Sequence, residues 1–189
     1  MASIEKCIAV NQIMQSFNKP WAIAGGWSID LFLGEETRKH ADIEIVIYRK
    51  DQLAIQEHLA DWNLKKVQNG IVLAWEKNEH LALPIHETYA EKASEKIEIL
   101  LNESDSECWL YRRDSRIKRE LGKAILTTNH GIPFLSPEIA LLYKSKNPRP
   151  KDEMDFGSSC NYMSDEQKQW LQESLKLTYT EHPWIELLN

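Results

Sequence analysis

The chain is poor in long apolar runs, in cysteine and in positive charge. No segment approaches the roughly 18–20 consecutive apolar residues of a membrane span, so no membrane partner is expected. Met1 to Ala9 includes Glu5 and lacks a basic region followed by an apolar stretch, so it does not read as a signal peptide. The three cysteines, Cys7, Cys108 and Cys160, are widely spaced and odd in number. They form neither a disulfide framework nor a zinc pattern, and they point to a reducing, cytoplasmic setting. Lys and Arg number 23 against 29 Asp and Glu, a formal net charge of −6. That balance argues against a duplex nucleic-acid partner, which would call for a basic footprint. It is compatible with a cationic small substrate, although solubility alone also explains it.

What is present is ordinary for a globular protein: 42% hydrophobic and 28% charged residues. A length of 189 residues suits one domain with its own core, or a domain with a small helical appendage. Apolar residues at Ile4, Ile8, Ile13 and Phe17 predict an amphipathic helix ended by Asn18 and Pro20. Trp21–Ala24 reads as a short buried strand, Ser28–Leu33 as a helix stopped by Gly34, and Asp42–Tyr48 as a second strand. Asp51 is a candidate N-cap for a helix to Trp62, with Leu53, Ile55, Leu59 and Trp62 as its apolar residues. Strands are expected at Leu64–Val67, Ile71–Trp75, Ile97–Leu101, Trp109–Tyr111 and Ala124–Thr127. Asn69-Gly70 is a hairpin signal, because both residues tolerate positive φ. Beyond Ser136-Pro137 the pattern turns helical. Ser136 is a candidate cap, and Ile139, Leu142 and Tyr143 share a face. Asn147-Pro148-Arg149-Pro150 breaks that helix, Lys151–Tyr162 forms another, and Ser164 caps a last one carrying Trp170, Leu171, Leu175 and Leu177. The expected organisation is an α/β (α+β) domain over 1–135, a mixed sheet with flanking helices, and a small C-terminal helical region over 136–189.

One block carries chemistry. Asp42 and Glu44 stand at i and i+2 at the start of an apolar run, so both would project from one strand face while Ile43, Ile45 and Ile47 face the other way. Paired carboxylates repel unless a cation lies between them, and a hard ion such as Mg²⁺ takes oxygen ligands of this kind together with substrate phosphates. The plainer explanation is a solvated sheet face, where acid and apolar residues often alternate. Gly25-Gly26 upstream permits a tight strand-to-helix turn and close backbone approach to a phosphate, and the helix start presents free N–H groups to an anion. Ser28 can donate a hydroxyl to that phosphate or simply sit early in the helix. Asp30 is expected to orient the turn or the basic segment rather than to bind metal. Arg38 can pair with triphosphate oxygens as a forked donor, and His40 can support Asp42 or meet a phosphate. Salt bridges to the site's own acids are the alternative for both.

Glu98 lies in an apolar stretch, Ile97 to Leu101, where a charge needs a reason. It is the candidate third carboxylate, as metal ligand, as acceptor of a hydroxyl proton, or as both. Neighbouring carboxylates would raise its proton affinity and a cation would lower it. An outward-facing edge position is the alternative. Glu87 and Glu103 are weaker candidates. Lys144 and Lys151 can close over a nucleotide or be plain exposed helix lysines. If Arg112 and Arg113 continue a strand, one faces inward and the other faces solvent. Trp27 directly follows the diglycine and can shape a nucleotide pocket.

Taken together, Gly25-Gly26, Arg38-x-His40-x-Asp42-x-Glu44, Glu98, Tyr111-Arg112-Arg113-Asp114, Pro137-Glu138, Leu142-Tyr143-Lys144 and Lys151-Asp152-Glu153-Met154-Asp155-Phe156 resemble the nucleotidyltransferases of the DNA polymerase beta type. The likeness is nearest to their aminoglycoside and lincosamide branch, the aminoglycoside adenylyltransferase-like domain, and covers roughly residues 20–156. It implies the nucleotidyltransferase fold and a Mg²⁺-dependent enzyme that transfers a nucleoside monophosphate, AMP from ATP, to a hydroxyl of a small molecule such as an aminoglycoside-like antibiotic. Asp42, Glu44 and Glu98 would hold the metal and form the catalytic set. Gly25, Gly26, Ser28, Arg38, His40 and Lys144 would meet the nucleotide. Relatives more often carry Asp where this chain has Glu44. Two other classes stay open: a regulatory module that lost turnover, and a nucleotidyltransferase acting on protein or RNA in a toxin–antitoxin pair. The sequence leaves the acceptor, the nucleotide preference and the oligomeric state open.

Overall fold

A computed structural model describes residues 4–189. The helices are α1 (Glu5–Ile13), α2 (Gly25–Leu33), α3 (Gln52–His58), α4 (Leu121–Ala124), α5 (Pro137–Lys144), α6 (Pro150–Ser159), α7 (Asp165–Thr178) and α8 (Trp184–Leu187). The strands are β1 (Trp21–Ile23), β2 (Glu44–Tyr48), β3 (Asn63–Gln68), β4 (Ile71–Ala74), β5 (Glu87–Lys92), β6 (Glu95–Ser104), β7 (Cys108–Leu110), β8 (Lys118–Glu120), β9 (Ile125–Thr127) and β10 (Pro133–Leu135). They form one mixed sheet in the order β4-β3-β5-β6-β2-β1-β10-β9, with β7 and β8 branching from β6. The pairs β2–β6 and β1–β10 are parallel. Among the described residues no helix is long and apolar enough to cross a membrane.

The β2 alternation works as expected. Ile43, Ile45 and Ile47 enter a core with Cys7, Val10 and Met14 of α1 and Ile55 of α3. Val46 and Tyr48, on the opposite face, join a second core with Ile139, Leu141 and Leu142 of α5, Phe156, Leu171 and Trp184. That second core draws residues from both sides of Ser136. The Asn69-Gly70 turn joins β3 to β4 with φ of 53° and 77°. Ser164 caps α7 through a reciprocal box with Gln167.

Several expectations need correction. β5, β8 and β10 were not foreseen. In β5 the inward residues are Thr88 and Ala90, too small and polar to give an alternation signal. β8 is Lys-Arg-Glu, and β10 is three residues beginning with proline. Ser136 and Asp51 make no side-chain cap, and Ser136 Oγ is buried without a partner. Ile8, Leu53 and Leu177 are exposed, because the neighbouring Cys7 and Val10, Ile55, and Leu171 and Leu175 face the cores instead. Strand β2 begins at Glu44, so Asp42 lies in the bend before it.

Candidate active site

The site is built where β1 ends and α2 begins. Gly25 has φ +63°, a left-handed value that side chains resist. It also leaves room for an acid: a Cβ on Gly25 would lie 1.4 Å from Glu44 Oε2. A Cβ on Gly26 would lie 2.2 Å from an Arg38 guanidinium nitrogen and 2.5 Å from the His40 ring. The diglycine thus makes a floor on which Glu44, Arg38 and His40 rest.

Glu44 and Glu98 are direct partners in the parallel β2–β6 pair, so both side chains project from one face. Glu87, on β5, lies diagonally beside Glu98, whose antiparallel partner is Tyr89. Among the described residues the carboxylates of Asp42, Glu44 and Glu98 make no ion pair or hydrogen bond; Glu87 accepts from the Tyr89 hydroxyl. The electrostatic consequence is large. Burial pushes Glu98 up to about 7, and Glu44, Glu87 and Asp42 add to the rise against Lys96. Burial also raises Glu44; Lys144, Lys151 and Arg149 oppose it, and Asp42 adds to it. A cation would relieve this crowding. Among the described residues, however, no three His, Cys, Asp or Glu side chains are spaced to hold one ion. Asp42 is the outlier: it is exposed in the bend, anchored by its backbone carbonyl, which accepts from Trp27 Nε1 at 3.0 Å.

The basic segment is locked from behind. His40 Nε2 donates to Asp30 Oδ2 at 2.5 Å, and Thr37 donates to Asp30 from its hydroxyl and backbone N–H. Burial would raise the Asp30 carboxyl, but these bonds hold it below its usual range. Asp30 therefore holds the basic segment, one of the two roles expected of it. The His40 ring lies 4.2 Å from the Trp27 ring. Arg38 Nε and one terminal nitrogen fork onto Asp155 at 2.7 and 2.8 Å. Asp155 is fully buried and also takes Lys144 at 2.8 Å. Lys144 is neither exposed nor free, since Asp152 shares it at 3.3 Å and in turn holds Arg149 at 2.8 Å.

These groups line one cleft of about 570 Å³. Gly25, Gly26, Arg38, His40, Asp42, Glu44, Glu98 and Lys144 all reach it. Ser28 does not. It is fully buried, and its hydroxyl donates to the Gly25 carbonyl at 2.8 Å. Helix α2 starts at Gly25 rather than at Ser28, and that phase turns Ser28 inward. Glu103 is also elsewhere, paired with Arg49. Sequence reasoning missed Asn102, His86 and Arg149 in the cleft, and it left Arg112 and Arg113 without a site. Both arginines lie past the end of β7, so the strand alternation expected of them does not apply, and both line the cleft.

The described geometry has relatives. A family model described as aminoglycoside-2''-adenylyltransferase matches residues 6–158. A crystal structure of ANT(2'')-Ia in complex with adenylyl-2''-tobramycin superposes with a TM-score of 0.61 at 13% identity, covering 93% of this chain and 99% of that one. Lincomycin-bound LnuA, a lincosamide antibiotic adenylyltransferase, gives 0.57 at 17% identity over 82% and 95%. An antigenic nucleotidyltransferase-like protein from Paracoccidioides brasiliensis gives 0.52 at 18% identity over 97% and 90%. No curated protein sequence matches. The family match spans most of the chain, and the chain belongs to the aminoglycoside-2''-adenylyltransferase family, a group of nucleotidyltransferases.

Proposed function

We propose that the protein transfers AMP from ATP to a hydroxyl of a small, cationic, antibiotic-like acceptor. The observation that carries this reading is the Glu44–Glu98 pair, in register beside the Gly25-Gly26 turn and facing a cleft with a basic wall. In the reaction the acceptor oxygen bonds to the α-phosphorus, the bond from that phosphorus to the bridging oxygen breaks, and its electron pair leaves with pyrophosphate. Glu44 and Glu98, partners in register, are the residues that would hold Mg²⁺, with Asp42 completing the set only on turning in from its bend, and their unpaired carboxylates suit a hard cation. Such an ion would stabilise charge on the attacked phosphate and the leaving group. Glu98 is also the candidate acceptor of the hydroxyl proton; without a cation, burial and the neighbouring acids raise it to about 7, and a bound Mg²⁺ would lower it from there. The α2 N–H groups and the Gly25-Gly26 floor bind phosphate, and Lys144 and Arg149 hold positive charge over it.

The acidic rim of Asp42, Glu87 and Glu98 favours an aminated acceptor. A cytosolic setting, where ATP and Mg²⁺ are plentiful, accords with three free cysteines. The test is incubation with labelled ATP, Mg²⁺ and a panel of aminoglycosides and lincosamides, reading pyrophosphate release and labelled product. Release that depends on acceptor supports the reading. Absence of ATP binding in the presence of Mg²⁺ overturns it.

A further inference from the structure

The arginines of the cleft and Lys144 have their charged ends arranged in different ways. Arg38 forks onto Asp155, Lys144 sits between Asp152 and Asp155, and Arg149 is held by Asp152. Arg113 donates to the Tyr111 hydroxyl at 3.0 Å and to the Tyr143 carbonyl at 3.1 Å. Arg112 differs. Among the described residues its side chain makes no hydrogen bond and no ion pair. Its guanidinium lies 6.0 Å from the centroid of the Tyr143 ring, which steers it without neutralising it.

That position is electrostatically uncomfortable. Arg112 is half-buried in the cleft wall, and Arg113 stands over the same Tyr143 ring at 5.5 Å. Burial lowers the proton affinity of Arg112, and Arg113 and Arg49 lower it further. A desolvated guanidinium beside two like charges is costly unless an anion arrives. Among the described residues no carboxylate pairs with Arg112, and the charged groups that bear most on it are Arg113 and Arg49 rather than an acid. A guanidinium presents a planar fork matched to phosphate oxygens.

We propose that Arg112 binds the β- and γ-phosphates of the nucleotide and stabilises the pyrophosphate as it leaves. The assignment rests on the nucleotidyl-transfer reading above and adds a residue to it. When the bond from the α-phosphorus to the bridging oxygen breaks, the electron pair remains on the pyrophosphate, and Arg112, an unpaired guanidinium of the cleft wall, receives that charge. Tyr143 holds the guanidinium plane in place, and Arg113, tied to the Tyr143 carbonyl, fixes the ring's backbone.

The test is binding of ATP and of AMP, each with Mg²⁺, to wild type, Arg112→Met and Arg112→Lys, with melting curves for all three. Charge-assisted bonds of this kind predict that Arg112→Met weakens ATP about tenfold to a hundredfold. AMP affinity and melting temperature should hold, and Arg112→Lys should fall between. Equal loss for AMP and ATP would place Arg112 at the nucleoside or α-phosphate and overturn the assignment. Unchanged ATP affinity in Arg112→Met would also overturn it while leaving nucleotidyl transfer standing. Failure of the wild type to bind ATP would remove both.

Discussion

The Glu44 carboxylate rests where a side chain on Gly25 would have to be. A Cβ at Gly25 would stand 1.4 Å from Glu44 Oε2, on a residue whose φ is already +63°. Gly25→Ala should therefore fail twice. The left-handed backbone costs about 1–2 kcal/mol for a residue with a Cβ, and Glu44 must also leave its seat. The expected outcome is a lower melting temperature together with loss of Mg²⁺-dependent ATP binding. A variant that kept both would show that Glu44 does not need the diglycine floor.

Glu98 predicts a pH dependence of stability. An ordinary glutamate titrates near 4.5, and Glu98 is pushed up to about 7 by burial and by the acids around it. Between those values the folded chain binds the proton more tightly than the unfolded chain does. Stability from this group is thus present at low pH and is lost as pH rises from about 4.5 through about 7. Without divalent metal, the melting temperature of Glu98→Gln should exceed that of wild type at pH 8, and the gap should narrow toward pH 5. Thermal melts in chelator at both values check this. Equal pH slopes in the two proteins would count against the charged cluster.

Asp155→Asn should be severe. Asp155 is fully buried and answers both Arg38 and Lys144. Removing its charge strands Arg38 and leaves Lys144 with Asp152 alone, and breaking a buried pair in this way costs about 3–5 kcal/mol. Denaturant titration should show that loss. A change under about 1 kcal/mol would mean that solvent screens the cluster.

Asp42→Asn separates function from fold in the opposite sense. The Asp42 side chain is exposed and unpaired, and only its backbone carbonyl is used by Trp27. Melting without metal should hold steady or rise slightly, since one repulsive charge is removed. Groups that merely support metal ligands are worth about 10–100-fold when lost, so a ligand should cost the transfer rate about a hundredfold or more. Wild-type turnover in this variant would remove Asp42 from the metal site.

The local order around the site was legible in the sequence because short-range rules govern it. The run Trp21 to Ile23, the diglycine, the alternation of Ile43, Ile45 and Ile47, and the Asn69-Gly70 turn each announce their own geometry. Glu98 was legible as a charge inside an apolar strand. What could not be read depends on partners far along the chain. Arg38 looked like a phosphate ligand, yet its fork is held by Asp155, 117 residues away. The meaning of Arg112 depends on Tyr143, which α5 brings to the cleft wall. Ser28 was misread by three residues of helix phase.

The sheet also acts as a partition between two kinds of freedom. Most of the core formed with α1 and α3, Leu101 excepted, lies on the side that turns its back on the cleft, whereas Val46, Leu100, Leu135, Ala140 and Tyr143 of the other layer form part of the cleft wall itself. Repacking Met14, Ile55 and Leu59 would explore thermal robustness with the chemistry held still. The same library applied to Val46, Leu135 and Ala140 would move the walls of the reaction chamber with every substitution. In this molecule the capacity to be rebuilt and the capacity to react sit on opposite faces of one wall.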